Sequence, residues 1–229
     1  MLASTLAACS GPFSTLDPAG PAAEAIARTW WLMFAGAGLI WLLVMALVLW
    51  ALHRGHDTRA LTHPHRLIVG GGLVLPPLVL AVLLVHGTLS SDRITGSGEA
   101  VADRVDVTAA RWQWRFRYRD ADGRVVAESV DELALPRGRT VEFRITSADV
   151  IHSFWIPRLG GKIDAIPGRV NRLRLRADDD GPMPGQCAEY CGLEHAHMRF
   201  EVQVRDAAAH AAWLAANRPA APAATGAAP

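Results

Sequence analysis

Two long uncharged stretches stand out in the N-terminal part of the chain, Thr29 to Leu52 and Leu67 to Ser91. As a helix rising roughly 1.5 Å per residue, the run from Trp30 to Leu52 spans about 34 Å, enough to cross a hydrocarbon core. Trp30, Trp31 and Trp50 mark its two ends, where indole rings favour the membrane interface. The run from Leu67 to Leu89 is of similar length, and Pro76-Pro77 at mid-span predicts a kink. The alternative is a pair of buried core helices in a soluble protein. Beyond the second run the period changes to two. In Arg111-Trp112-Gln113-Trp114-Arg115-Phe116-Arg117-Tyr118-Arg119 the aromatics alternate with polar residues, which predicts a strand with one buried face. Strands are also predicted over Arg124–Val130, Thr140–Thr146, Val150–Ile156, Val170–Arg176 and Arg199–Val204. Turn signals separate them at Asp122-Gly123, Pro136-Arg137-Gly138, Pro167-Gly168 and Asp178-Asp179-Asp180-Gly181. Short strands at this spacing indicate a β-sandwich or barrel. Asp206 is placed to cap a short Ala-rich helix through Asn217, and the Ala/Pro tail from Arg218 reads as disordered.

Charge sets the orientation. The loop His53–Arg66 carries Arg54, Arg59 and Arg66 against Asp57, whereas the segment before the first run has Arg28 with Asp17 and Glu24. The positive-inside rule puts the loop in the cytoplasm and both chain ends outside. The expected organisation is therefore an exported leader over residues 1–28, two membrane helices within 29–91 (about 30–52 and 67–89), an exported β-domain over 95–206, and a short helix with tail over 207–229. Of 229 residues, 51% are hydrophobic and the mean hydropathy is +0.16. The part outside the apolar runs, about 140 residues, suffices for one domain and excludes a multi-domain soluble enzyme. A net charge of +1 gives no basic surface for nucleic acid. The region from Ser91 to Asp206 holds 19 acids and 18 bases, with Lys162 the only lysine. Steering of a charged partner would need a local patch. Asp120, Asp122, Asp131, Glu132 and Asp178-Asp179-Asp180 are the acidic candidates, or else plain solvated turn residues.

Three cysteines, at 9, 187 and 191, are too few for a disulfide scaffold. Leu6-Ala7-Ala8-Cys9 resembles a bacterial lipoprotein cleavage site, which would leave Cys9 acylated. The apolar stretch ahead of it, Met1 to Ala8, is shorter than a signal peptide, and a free thiol is the alternative. The other two cysteines lie in the densest ligand cluster of the chain, Cys187-Ala188-Glu189-Tyr190-Cys191-Gly192-Leu193-Glu194-His195-Ala196-His197-Met198. Thiolates with imidazole suit copper or zinc, and the thioether of Met198 shifts the balance toward copper. A Cys187–Cys191 disulfide and a buried Met remain open readings. An additional ligand anchored on the scaffold is expected, and His152 in Val150-Ile151-His152-Ser153-Phe154-Trp155 is the candidate, although a histidine on an apolar strand is commonly a hydrogen-bonded core residue.

Three ordered segments, Val150 to Phe154, Asp164-Ala165-Ile166-Pro167-Gly168-Arg169 and Gly185 to Met198, resemble subunit II of the haem–copper cytochrome c oxidases, as does a two-span hairpin before a β-domain. The resemblance covers about residues 24–215. It implies a cupredoxin-like Greek-key barrel holding a dinuclear copper A centre. Cys187 and Cys191 would bridge two coppers, His152 and His195 would each bind one, and Met198 and the backbone carbonyl of Glu189 would be weak ligands. His197 would lie outside the ligand set. Trp114 would match an exposed aromatic that receives the electron from cytochrome c, its alternative being one of the core aromatics of its strand. The Glu189 carboxylate would match a ligand of a magnesium ion shared with subunit I, with Asp164 nearby. The implied role is electron transfer in a respiratory terminal oxidase of the bacterial inner membrane, with subunit I, and subunit III, as partners. Oxygen reduction would occur in subunit I, and no haem belongs to this chain. Quinol-oxidising relatives lack the copper thiolates. The acidic residue common at the start of the family's second helix is absent from His63-Pro64-His65-Arg66.

Overall fold

Alternation of inward apolar and outward polar residues organises the larger part of the molecule, seen here in a computed structural model. The structure describes residues 9–54 and 64–219. Leu6 to Ala8 of the candidate cleavage site, loop residues 55–63 and the tail from 220 lie outside the described residues. The chain divides into two units, residues 26–91 and a β-rich unit made of 1–25 with 92–229.

The helical unit contains most of α1 (Pro21–Arg54), a short α2 (Pro64–Leu67), a π-helical segment (Ile68–Val74) and most of α3 (Leu75–Thr95). α1 starts upstream of Trp30 because Pro21 suits a first helical position, alanines follow it, and Glu24 complements the positive helix start. Pro76 and Pro77 have no N–H to offer the carbonyls one turn back, so the helix widens just before them and the Leu75 N–H bonds the Gly70 carbonyl, five residues away. Among the described residues, two helices are long and apolar enough to cross a membrane, and protein covers neither apolar window.

Among its described residues the β-rich unit has ten strands: β1 (Val101–Ala110), β2 (Gln113–Arg119), β3 (Val125–Val130), β4 (Glu132–Pro136), β5 (Thr140–Ser147), β6 (His152–Trp155), β7 (Ile163–Ala165), β8 (Asn171–Arg176), β9 (Gly185–Cys187) and β10 (Arg199–Arg205). They form two five-stranded sheets, ordered β3-β2-β1-β5-β8 and β4-β10-β9-β6-β7. Most neighbours are antiparallel, but β1 runs parallel to β5 and β4 parallel to β10, so crossovers as well as hairpins build the unit. Two apolar helices followed by an all-β domain is the architecture expected from the sequence.

Val105, Val107, Ala109, Trp114, Phe116, Tyr118, Phe143, Ile145, Phe154 and Phe200 fill the interior. Phe154 and Phe200 stack at 5.1 Å between centroids, and Trp114 meets both edge-on at 5.6 Å. A Cβ at Gly185 would lie 2.0 Å from the Phe200 ring, so β9 reaches its place only because this residue has no side chain. Residues 207–216 form α4 (Ala207–Ala216), whose first turn is capped by the Asp206 carboxylate accepting the Ala209 N–H at 2.8 Å. α4 carries Trp213 onto Tyr118 and donates from the Trp213 indole to Glu132 at 3.1 Å.

Candidate metal centre

Strand pairing brings the ligand types together. β6 and β9 are antiparallel with Phe154 opposite Cys187, which sets His152 at the start of β6 close to Cys187 at the end of β9. β9 and β10 then pair, with Arg199 opposite Gln186, so residues 188–198 form a closed loop. The Cys187 N–H donates to the Met198 carbonyl at 2.9 Å and the Ala188 N–H to the Ser153 carbonyl at 2.9 Å, tying both loop ends to the sheet. A short 3₁₀ turn, His195–His197, aims His195 back across the loop.

His152, Cys187 and Cys191 are buried, and their ligand atoms all lie within 4.8 Å of one another. Cys187 Sγ is 3.8 Å from His152 Nδ1, 3.8 Å from Cys191 Sγ and 3.2 Å from the Glu189 carbonyl oxygen. Cys191 Sγ is 3.6 Å from His195 Nδ1 and 3.7 Å from Met198 Sδ. The two sulfurs are free thiols, well beyond the ~2.05 Å of a disulfide. All six donors named from the sequence therefore converge on one pocket. Burial pushes the Cys191 thiol up to about 12, with repulsion from Cys187 adding to it. Metal-free, Cys191 is held as a thiol; a cation is what favours a thiolate in such a place.

His197 is exposed and its Nδ1 meets Glu194 at 3.0 Å, away from the sulfurs. The Glu189 carboxylate also points outward, where it and Asp164 share Lys162 at 3.3 and 3.5 Å. A magnesium ion at these oxygens would have to displace the ammonium.

The expectation of an exposed Trp114 is corrected. Trp114 is 0% exposed and packs between Phe154, Phe200 and His152. The β1–β2 register explains why. Ala110 pairs with Gln113, so Arg111 and Trp112 form the hairpin turn and the inward series begins at Trp114. Trp112 is the surface aromatic, 37% exposed, with its ring 3.2 Å from where a Gly192 Cβ would stand. Gly192 itself has φ +126°, so the loop at Cys191 requires glycine twice, for its backbone and for the indole beside it. The signal for Trp112 was the parity of the alternation, once the turn is recognised.

Sequence reasoning also missed Asp149. Its Oδ1 lies 2.8 Å from His152 Nε2, and its Oδ2 accepts the Arg111 N–H at 2.8 Å. Burial opposes its ionisation most strongly. Hydrogen bonds from His152 and the Arg111 and Val150 N–H groups, with attraction to His152, more than offset this and hold the carboxyl well below the usual range. The only hint in the sequence was a turn-forming Ser147-Ala148-Asp149 ahead of His152.

The profile of the cytochrome c oxidase subunit II periplasmic domain matches residues 120–205. Cytochrome c oxidase subunit 2 of Cereibacter sphaeroides is 33% identical over 216 residues, covering 76% of this chain and 70% of that protein. The chain belongs to the cytochrome c oxidase subunit II family. The subunit 2 of Alkalihalophilus pseudofirmus is 35% identical over 144 residues, covering 60% of this chain and 41% of the relative. This chain thus spans less than half of that subunit II protein. A quinol oxidase subunit 2 of Bacillus cereus is also similar, 29% identical over 142 residues, covering 62% of this chain and 47% of the relative. Among the described residues, two apolar helices precede the part of the chain that matches the subunit II periplasmic domain, as in a membrane-anchored member of this family.

Proposed function

We propose that the chain accepts electrons from cytochrome c at a dinuclear copper A centre and passes them to haem in subunit I. One observation carries the reading. Two unbonded buried thiols stand 3.8 Å apart, flanked by two imidazole nitrogens, a thioether and a backbone carbonyl. Cys187 and Cys191 would bridge the metals, His152 and His195 would each bind one, and Met198 and the Glu189 carbonyl would bind weakly. A copper pair held by these residues would supply one-electron redox chemistry. The chain's own residues supply the rest. β6 and β9 fix His152 and Cys187, the closed loop presents the other donors, and stacked aromatics keep water from the inner side. Electron uptake is assigned to Trp112, at the surface against the Cys191 loop.

In this reading both helices span the bacterial inner membrane, the β-domain is periplasmic, and subunits I and III are partners. The outward Glu189 carboxylate is offered to a magnesium ion shared with subunit I, once freed of Lys162. Similarity alone does not separate cytochrome c from quinol oxidation; the paired thiols favour the former. Anaerobic copper titration of the reduced full-length chain tests this. Saturation at two coppers per chain is expected. One copper per chain, or zinc retained in preference, contradicts it, and copper-independent turnover with a quinol favours the other branch.

A further inference from the structure

The carboxylate of Asp149 is fixed from several directions. Oδ1 takes the Val150 N–H at 2.7 Å and faces His152 Nε2 at 2.8 Å. Oδ2 takes the Arg111 N–H at 2.8 Å and the Arg111 Nε at 3.3 Å. The Asp149 N–H is itself held by Ser147 Oγ at 3.2 Å. An ionised carboxylate accepts and cannot donate, so the imidazole nitrogen facing it carries the proton. His152 is fully buried, so its ring has no water to turn toward. The other nitrogen, Nδ1, is then left with its lone pair 3.8 Å from Cys187 Sγ. His195 is different: it is half-buried, and its Nε2 has no hydrogen-bond partner among the described residues.

We propose that Asp149 is a positioning residue for the metal centre, holding His152 as the Nε2–H tautomer so that Nδ1 is presented ready to bind copper. The proposal rests on the copper reading for its purpose, but the tautomer exists without metal. His152 is a ligand whose tautomer is fixed in advance, whereas no hydrogen bond among the described residues fixes the tautomer of His195 through its Nε2. Carboxylates that fix a ligating histidine in this way strengthen metal binding about 10–100-fold. In Asp149→Asn the amide either turns its NH₂ toward His152, forcing the proton onto Nδ1, or turns it toward the Arg111 N–H, where two donors meet.

The test has a metal-free and a copper arm, both on the full-length chain in detergent. In the metal-free ¹⁵N-histidine spectrum, with His152 assigned through its loss in His152→Gln, a slowly exchanging Nε2–H is expected. Asp149→Asn should lose that signal and bind copper about 10–100-fold more weakly, with a raised reduction potential. Arg111→Ala, which removes the side-chain contact and keeps the backbone donor, should keep the native tautomer and affinity. An Nδ1–H tautomer in the metal-free native protein overturns the proposal whatever Asp149→Asn does. So does native copper affinity in a folded Asp149→Asn. Failure of the native chain to bind a copper pair would instead count against the copper reading, because the tautomer is measured without metal.

Discussion

Trp112 and Trp114 sit two positions apart and do opposite things. Trp114 fills the core beside His152, and its backbone N–H donates to Asp131 Oδ1 at 2.7 Å. Trp114→Ala should therefore cost about 3–5 kcal/mol of stability, measured by denaturant unfolding, and blur the metal centre through its wall. Trp112→Gln should leave folding and copper content native while strongly slowing electron uptake from reduced cytochrome c in stopped flow. Normal uptake in that variant would remove Trp112 from the path. The donor set was legible because its residue types are rare and cluster between Cys187 and Met198. The surface aromatic was not, because alternation gives the period and only the turn at Arg111–Trp112 gives the phase. Asp149 was illegible because its role depends on a close approach to His152 that no spacing rule encodes.

Among the elements, the two long apolar runs and the strands β2, β3, β5, β6, β8 and β10 were read from sequence, and β1, β4, β7 and β9 were lost. β2, β5 and β10 match their expected ranges closely. β1 escaped because its inner face is only Val105, Val107 and Ala109, and β4 because four of its five residues are buried and show no alternation. β7 and β9 are three residues each, too short to display a period. α4 was found through its cap, but not what it buries. His210 is 4% exposed, and neither ring nitrogen has a hydrogen-bond partner among the described residues. Desolvation lowers its pKa below the ordinary histidine value, with Arg139 and Arg205 acting in the same direction and Asp103 opposing. The unfolded chain then binds the proton more readily than the folded one. The contribution of a neutral His210 is complete above the unfolded pKa of ~6.5 and declines as pH falls below it. The melting temperature of the copper-free protein should fall as pH drops below about 6.5. His210→Gln should flatten that drop relative to the native chain; an identical slope in both would place the acid sensitivity elsewhere.

Across the whole molecule, charge decides how a donor arrives. The acids proposed as a docking patch are engaged within the domain. Asp120 and Asp122 pair with Arg124, Asp178 with Arg176, Asp179 with Arg158 and Asp180 with Arg137. Asp131 is taken by the Trp114 N–H and Glu132 by Trp213. On the outer face of the β3-β2-β1-β5-β8 sheet, by contrast, Arg104, Arg115 and Arg172 make no ion pair among the described residues. Around the metal loop Trp112, Tyr190 at 76% and Leu193 at 89% are exposed, and the exposed acids Glu189 and Glu194 are met by Lys162 and His197. Docking on apolar contact predicts that oxidation of a basic cytochrome c by the assembled oxidase changes little as salt shortens the Debye length toward ~8 Å. A steep fall with salt would reveal an acidic patch supplied by another subunit. Beneath all of this lies the claim that two metals share one electron between Cys187 and Cys191. The most direct measurement is the low-temperature EPR spectrum of the copper-loaded, full-length chain, native and Cys191→Ser. The account predicts hyperfine structure from one electron spread equally over two copper nuclei in the native protein, and its loss in the variant. Hyperfine structure from a single copper nucleus in the native protein would contradict it.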